Sequence, residues 1–120
     1  FGGYPLASVV GTYAIKVLAE EKLAENARKQ GSRLMGNLNQ IKDDFPDKIK
    51  EVRGKGLLTA FEMHDEKHLD GHTVSVELLN HGVYAKETHH STVRLAPALT
   101  INNEQVDRLC DSIHSVIKGL

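Results

Sequence analysis

Nothing in the sequence restricts the fold more than Val83 to Ile101, VYAKETHHSTVRLAPALTI. It reads as a strand over Val83–Lys86, a polar turn over Glu87–Ser91 and a strand over Thr92–Ala96, closed by Pro97. Alternation gives Val93 and Leu95 one face and Arg94 the other. A guanidinium is a permanent cation, so Arg94 needs a carboxylate or phosphate partner, or an open solvent face. The rest of the chain reads as scaffold for presenting that edge.

Before this hairpin lie two helical patterns. Pro5 suits the first turn of a helix, and Val9, Val10, Tyr13, Ala14, Val17 and Leu18 then recur three and four apart. Leu23 to about Asp43 repeats the pattern through Ala27, Leu34, Leu38 and Ile41, and Pro46 ends it at Phe45. Gly31 and Gly36 weaken this second helix and are expected to admit a neighbouring helix. Ile49–Val52 and Leu57–Met63 read as strands around the turn Arg53-Gly54-Lys55-Gly56. A helix is expected over Thr73–His81, with Gly82 as its left-handed stop. The last helix starts at the cap Asn102 with Gln105 as capping-box partner, and Val106, Leu109, Cys110, Ile113 and Ile117 form its apolar face.

The order is helix, helix, two strands, helix, two strands, helix. It predicts an α+β fold with a small, mostly antiparallel sheet covered on one face. The first helix has an apolar stripe but no strand of its own, so it is expected to lean on something outside this chain.

The totals narrow the function. One hundred and twenty residues, 40% hydrophobic, suit one small core. With 15 basic and 16 acidic residues, the charge gives no attraction to nucleic acid or anionic membrane. No apolar run approaches the ~20 residues that span a bilayer. The single cysteine, Cys110, cannot close an internal disulfide, which fits a reducing compartment such as the cytoplasm or mitochondrial matrix. The start, Phe1-Gly2-Gly3, is neither an initiator methionine nor a targeting segment, and points to a piece of a longer protein.

Three local patterns invite chemistry and are read conservatively. Arg53-Gly54-Lys55-Gly56 lacks the spacing and the Lys-Ser/Thr of a phosphate loop, so it is expected to be a hairpin turn. His64, His68 and His72 recur every fourth residue, but Gly71 breaks the helix within the set; a solvated loop is expected and no metal site. His89 and His90 stand on a turn with no nucleophile beside them in sequence.

Four segments together carry a family resemblance: FGGYPLAS (Phe1–Ser8), VRGKGLLTA (Val52–Ala60), NHGVYAKETHH (Asn80–His90) and VRLAPALTI (Val93–Ile101). In order and spacing they resemble the C-terminal part of a class III, pyridoxal-phosphate-dependent aminotransferase. GLLTA with AKETHH and RLAP most resembles the ornithine branch; the acetylornithine and 4-aminobutyrate branches are near.

The resemblance implies the small C-terminal domain of a type I aminotransferase over 23–120, preceded by a loop and linking helix from the large domain over 1–22. It implies transfer of the δ-amino group of ornithine to 2-oxoglutarate, with chemistry supplied by pyridoxal 5'-phosphate. Arg94 matches the arginine that pairs with a large-domain glutamate and receives a substrate carboxylate. Gly2 and Gly3 match a loop near the cofactor phosphate of the neighbouring subunit, in a shaping role. Implied partners are the large domain of the same subunit, a second subunit in a homodimer, and small amino and oxo acids; nucleic acid and membrane are not implied. Tyr4 stands where asparagine is common in the family, and Pro97-Ala98 where Pro-Pro is common. No catalytic residue is matched: Lys16, Lys55 and Lys86 lie outside the context of the Schiff-base lysine, so the isolated segment is expected to be inactive. The alternative is a non-enzymatic α+β interaction module docking a partner through Leu6–Leu18.

Overall fold

In the computed structural model, which describes residues 2–64 and 70–120, the order of elements is the expected one. It runs α1 (Pro5–Glu20), α2 (Leu23–Asp44), β1 (Ile49–Lys55), β2 (Leu58–Met63), α3 (Gly71–Asn80), β3 (Lys86–Thr88), β4 (Thr92–Leu95) and α4 (Asn103–Gly119). The strands form one antiparallel sheet in the order β1-β2-β4-β3.

Period-two burial decides which side is covered. Phe61 and Met63 of β2 and Val93 and Leu95 of β4 are buried, whereas Leu58 and Arg94 are exposed. The buried face receives Leu34, Leu38 and Ile41 from α2, Val74 and Leu78 from α3, and Val106, Ile113 and Ile117 from α4. Polar ties fix α2 to α4: Arg33 grips Asp107 with two hydrogen bonds of 2.8 and 2.6 Å, and Gln30 Nε2 donates to Asn103 Oδ1 at 2.8 Å. The Asn26 amide donates to the carbonyls of Leu99 and Ile101, holding the segment after β4 against α2. The expected capping box is present, with Gln105 N–H donating to Asn102 Oδ1 and Asn102 N–H donating to Gln105 Oε1.

Four local expectations are corrected. β1 continues through Arg53 and Lys55, and the turn shrinks to Gly56-Leu57, because Gly56 (φ +57°) supplies the left-handed position of a two-residue hairpin. Gly31 admits no helix; it faces that same turn, and a Cβ there would stand 2.2 Å from the carbonyl oxygen of Gly56. An added Cβ at Gly36 meets nothing within 4 Å. Gly71 opens α3 instead of breaking a helix, with the Asp70 carboxylate accepting from Thr73 N–H at 2.6 Å.

The fourth correction bears on the site. β3 covers Lys86–Thr88 and not Val83–Lys86. The amide of Val83 donates to Leu78 O and that of Gly82 to Leu79 O, a paired closure of α3 that uses Val83 as part of the helix end. Gly82 takes the expected left-handed angle (φ +77°). On the far side, His89 and His90 both adopt positive φ (50° and 67°), so the connection needs only 89–91 and Thr88 pairs with Thr92.

Candidate functional site

The sheet face turned away from the helices is laid out in rows by the strand register. One row runs across all four strands: Arg53 opposite Ala60, Ala60 opposite Arg94, Arg94 opposite Lys86. The neighbouring row is Glu51, Glu62, Thr92 and Thr88. An irregularity between Ile49 and Glu51 inserts Lys50 as an extra residue. This leaves Ile49 in the core while Lys50 and Glu51 share the open side, the re-aiming that a bulge produces.

The two halves of this face differ in electrostatics. On β1 and β2, Lys50 Nζ donates to Glu62 Oε1 at 2.8 Å, and Arg53 Nη1 donates to Glu62 Oε2 at 2.8 Å and to Glu51 Oε2 at 3.1 Å. Hydrogen bonds from Lys50 and Arg53 hold the Glu62 carboxyl below the usual carboxylate range, and Glu62 in turn raises both bases. On β4 and β3, Arg94 and Lys86 are exposed, and among the described residues neither has an ion-pair partner. They stand directly opposite, where side chains begin about 4.5–5.5 Å apart and like charges repel. Between Arg53 and Arg94 the row holds only the methyl group of half-buried Ala60. Arg94 thus projects where alternation put it, opposite Val93 and Leu95, ready for an anionic group.

The other residues singled out in the sequence do not gather there. Gly2 and Gly3 form an exposed turn, with Gly3 at φ +81°, and a Cβ on either would meet nothing within 4 Å. His64 Nε2 lies 3.1 Å from Pro46 O, and His72 Nδ1 lies 3.3 Å from Glu87 Oε2. His68 falls outside the described residues, which contain no cluster of three or more His, Cys, Asp or Glu able to hold a metal. His89 and His90 are exposed at the hairpin tip. Cys110 is buried, and that burial pushes its thiol up to about 11, which suits an unreactive core residue.

Sequence comparison decides the family. The family described as aminotransferase class III matches residues 1–117. The chain belongs to the class III aminotransferases. Over 120 residues it is 40% identical to the mitochondrial ornithine aminotransferase of Arabidopsis thaliana, covering 98% of this chain and 25% of that protein. Its fold superimposes on Plasmodium falciparum ornithine delta-aminotransferase with a TM-score of 0.88 at 36% identity, covering 96% of this chain and 29% of the other. For the acetylornithine aminotransferase of Elizabethkingia anophelis the TM-score is 0.90 at 34% identity, covering 97% and 29%. The chain therefore spans about a quarter of the length of the curated relatives it matches, and its α+β fold is that of one part of a pyridoxal-phosphate aminotransferase.

Class III aminotransferases work with pyridoxal phosphate, and the described residues of this chain do not on their own fit that group. Lys16, Lys55 and Lys86 are exposed, and Lys48 is occupied in closing α4, donating to the carbonyls of Ile117 and Leu120 at 2.8 and 2.7 Å. The exposed cations Arg94 and Lys86 stand together instead at one corner of the open sheet face. Sequence reading placed Arg94 on the face opposite Val93 and Leu95, and it did not place Lys86 beside it. A five-residue turn over 87–91 would pair Lys86 with Thr92, and only the two left-handed histidines shorten it so that Lys86 faces Arg94. Two adjacent histidines in a short polar turn were the available signal, since histidine is among the side chains that enter the left-handed region more readily than most.

Proposed function

We propose that this chain is the C-terminal portion of an ornithine aminotransferase, transferring the δ-amino group of ornithine to 2-oxoglutarate. Bound pyridoxal phosphate supplies the electron sink for amino transfer. The residues that hold it belong mostly to the rest of the protein, and this segment alone is inactive. In this reading residues 1–22 are a loop and linking helix from the large domain, and 23–120 are the small domain. α1 buries none of its residues here, which fits a helix covered by that large domain. Gly2 and Gly3 shape a loop at the interface of a homodimer. The compartment is the cytoplasm or mitochondrial matrix; the relatives include a mitochondrial protein and a bacterial one, and no helix among the described residues is long and apolar enough to cross a membrane.

The observation that carries the proposal is Arg94, exposed on a stiff strand with no acidic partner among the described residues. Its planar fork matches a carboxylate with two parallel hydrogen bonds. It therefore receives a carboxylate of 2-oxoglutarate or glutamate, in exchange for a glutamate of the large domain. Arg94→Ala in the full-length protein is expected to raise the KM for 2-oxoglutarate about 10–100-fold, the loss of one charge-assisted contact. Thermal stability should barely move. An unchanged KM, or a full-length protein that does not transaminate ornithine at all, overturns the proposal. The same assay run with acetylornithine and 4-aminobutyrate separates the ornithine reading from its two near alternatives.

A further inference from the structure

We infer that Lys86 is a specificity-determining residue of the same acid-binding corner, sharing with Arg94 the carboxylate of the oxo-acid acceptor; this rests on the function proposed for Arg94. The two residues are register partners on adjacent antiparallel strands and are both exposed. The carboxylates that the four strands carry, Glu51, Glu62 and Glu87, each lie against another side chain. Glu62 and Glu51 are held by Lys50 and Arg53. Glu87 pairs in register with Val93, whose side chain is buried on the helix-covered face, and its carboxylate lies near His72. Two opposed cations therefore share one patch and repel until an anion enters between them.

A carboxylate suits that gap in a way one cation cannot exploit. It has two oxygens and about four acceptor positions. Arg94 offers a planar fork along one edge, and Lys86 a point-like ammonium on a flexible stem. Ala60, the third residue of the row, leaves the opposite flank of Arg94 free of bulk. Two cations side by side therefore favour an oxo acid over an uncharged carbonyl at this position.

The test is Lys86→Met, which keeps the apolar stem and removes the charge, beside Lys86→Arg, both in the full-length protein with its cofactor. Lys86→Met is expected to raise the KM for 2-oxoglutarate about five- to tenfold and to leave kcat and the KM for the amino donor within about twofold. Lys86→Arg should restore the acceptor KM to within about twofold of the parent. A lysine that only guards the edge strand β3 against pairing with another sheet gives a different result: solubility changes and the acceptor KM does not. That result overturns the inference, as does an equal rise in the donor and acceptor KM. Arg94→Ala separates the two levels. If it raises the acceptor KM and Lys86→Met does not, the role of Lys86 falls and that of Arg94 stands; if neither moves it, both fall.

Discussion

Helices α1 and α4 are of similar length, 16 and 17 residues, and have opposite fates. α4 carries Glu104, Asp107, Arg108, Asp111 and Lys118, yet it buries Val106, Cys110, Ile113, Val116 and Ile117. α1 has no charged residue before Lys16 and buries nothing; Leu6, Val9, Val10, Tyr13 and Ile15 are all at least 59% exposed. Mean apolarity would rank them the other way round. Burial follows from what a helix is given to pack against: α4 lies against α2 and α3 and is stapled to α2 through Arg33–Asp107, whereas among the described residues α1 packs chiefly against α2. The termini tell the same story. α4 begins with a reciprocal capping box, and α1 begins at Tyr4, with no side-chain cap. An exposed apolar face of this size is the kind of surface that interaction sites use.

The contrast can be broken most violently at two glycines. Gly31 lies under the β1–β2 turn, where a Cβ would stand 2.2, 2.4 and 2.7 Å from three backbone atoms of Gly56. Backbone cannot swing aside as a flexible side chain can. Gly31→Ala is expected to destabilise the 120-residue chain by about 4 kcal/mol or more, past the usual range for overpacking. Gly11, inside α1, has nothing within 4 Å of an added Cβ. Gly11→Ala should raise helix content and stabilise by about 0.5–1 kcal/mol. Urea unfolding followed by circular dichroism reads both. Equal effects at the two sites would erase the difference between a helix packed into the fold, here α2, and the exposed α1.

The next largest effect compares apolar truncations. Ile113 is fully buried, and Ile113→Ala should cost about 2–4 kcal/mol through lost transfer energy and the cavity left behind. Val10 is 59% exposed, and Val10→Ala in the same chain should cost under about 0.5 kcal/mol. Moving the pair into the full-length protein sharpens the comparison. If a large domain covers α1 there, the cost at Val10 rises to about 1 kcal/mol or more while that at Ile113 stays put. A Val10 cost that stays negligible in the longer protein means that α1 is bare there too.

Much of this was legible in the letters, and the reason is periodicity. Val106, Cys110, Ile113 and Ile117 at helical spacing, and Val93, Arg94 and Leu95 in alternation, assign themselves to faces without further context. The Asn102–Gln105 capping box could be read because its partners lie three residues apart. What stayed hidden depends on partners remote in sequence. Gly31 was readable as a point of close approach, but not which element approaches it. The Lys50–Glu62–Arg53 network required the bulge that inserts Lys50, and bulges leave no periodic trace. Arg94 could be found by alternation alone. Lys86 could not, because its place opposite Arg94 depends on the positive φ of His89 and His90. The apolar spacing of α1 was plain in the letters, whereas its exposure in the fold was not.

The smallest effect tests the helix ends. Asn102 accepts from Gln105 N–H at 2.9 Å, and Gln105 Oε1 accepts from Asn102 N–H at 3.0 Å. Asn102→Ala removes one half of the box and leaves the Gln105 amide of α4 without its side-chain acceptor, at a cost of about 1 kcal/mol. At the corresponding position of α1, Tyr4 contributes no cap, and Pro5 already fixes the first-turn backbone angle. Tyr4→Asp gives the bare amides a charged acceptor next to the positive end of the helix dipole, so it should add up to about 1 kcal/mol to α1. The two substitutions therefore have opposite signs: one weakens a helix that tertiary packing already holds, the other strengthens a helix that little else does. Amide hydrogen exchange in the first turn of each helix reads the local effect. Faster exchange in α4 of Asn102→Ala and slower exchange in α1 of Tyr4→Asp is the expected pair. If exchange in α1 is unmoved by a new cap, its N-terminal amides already have acceptors, and the contrast between the two helices rests on burial alone.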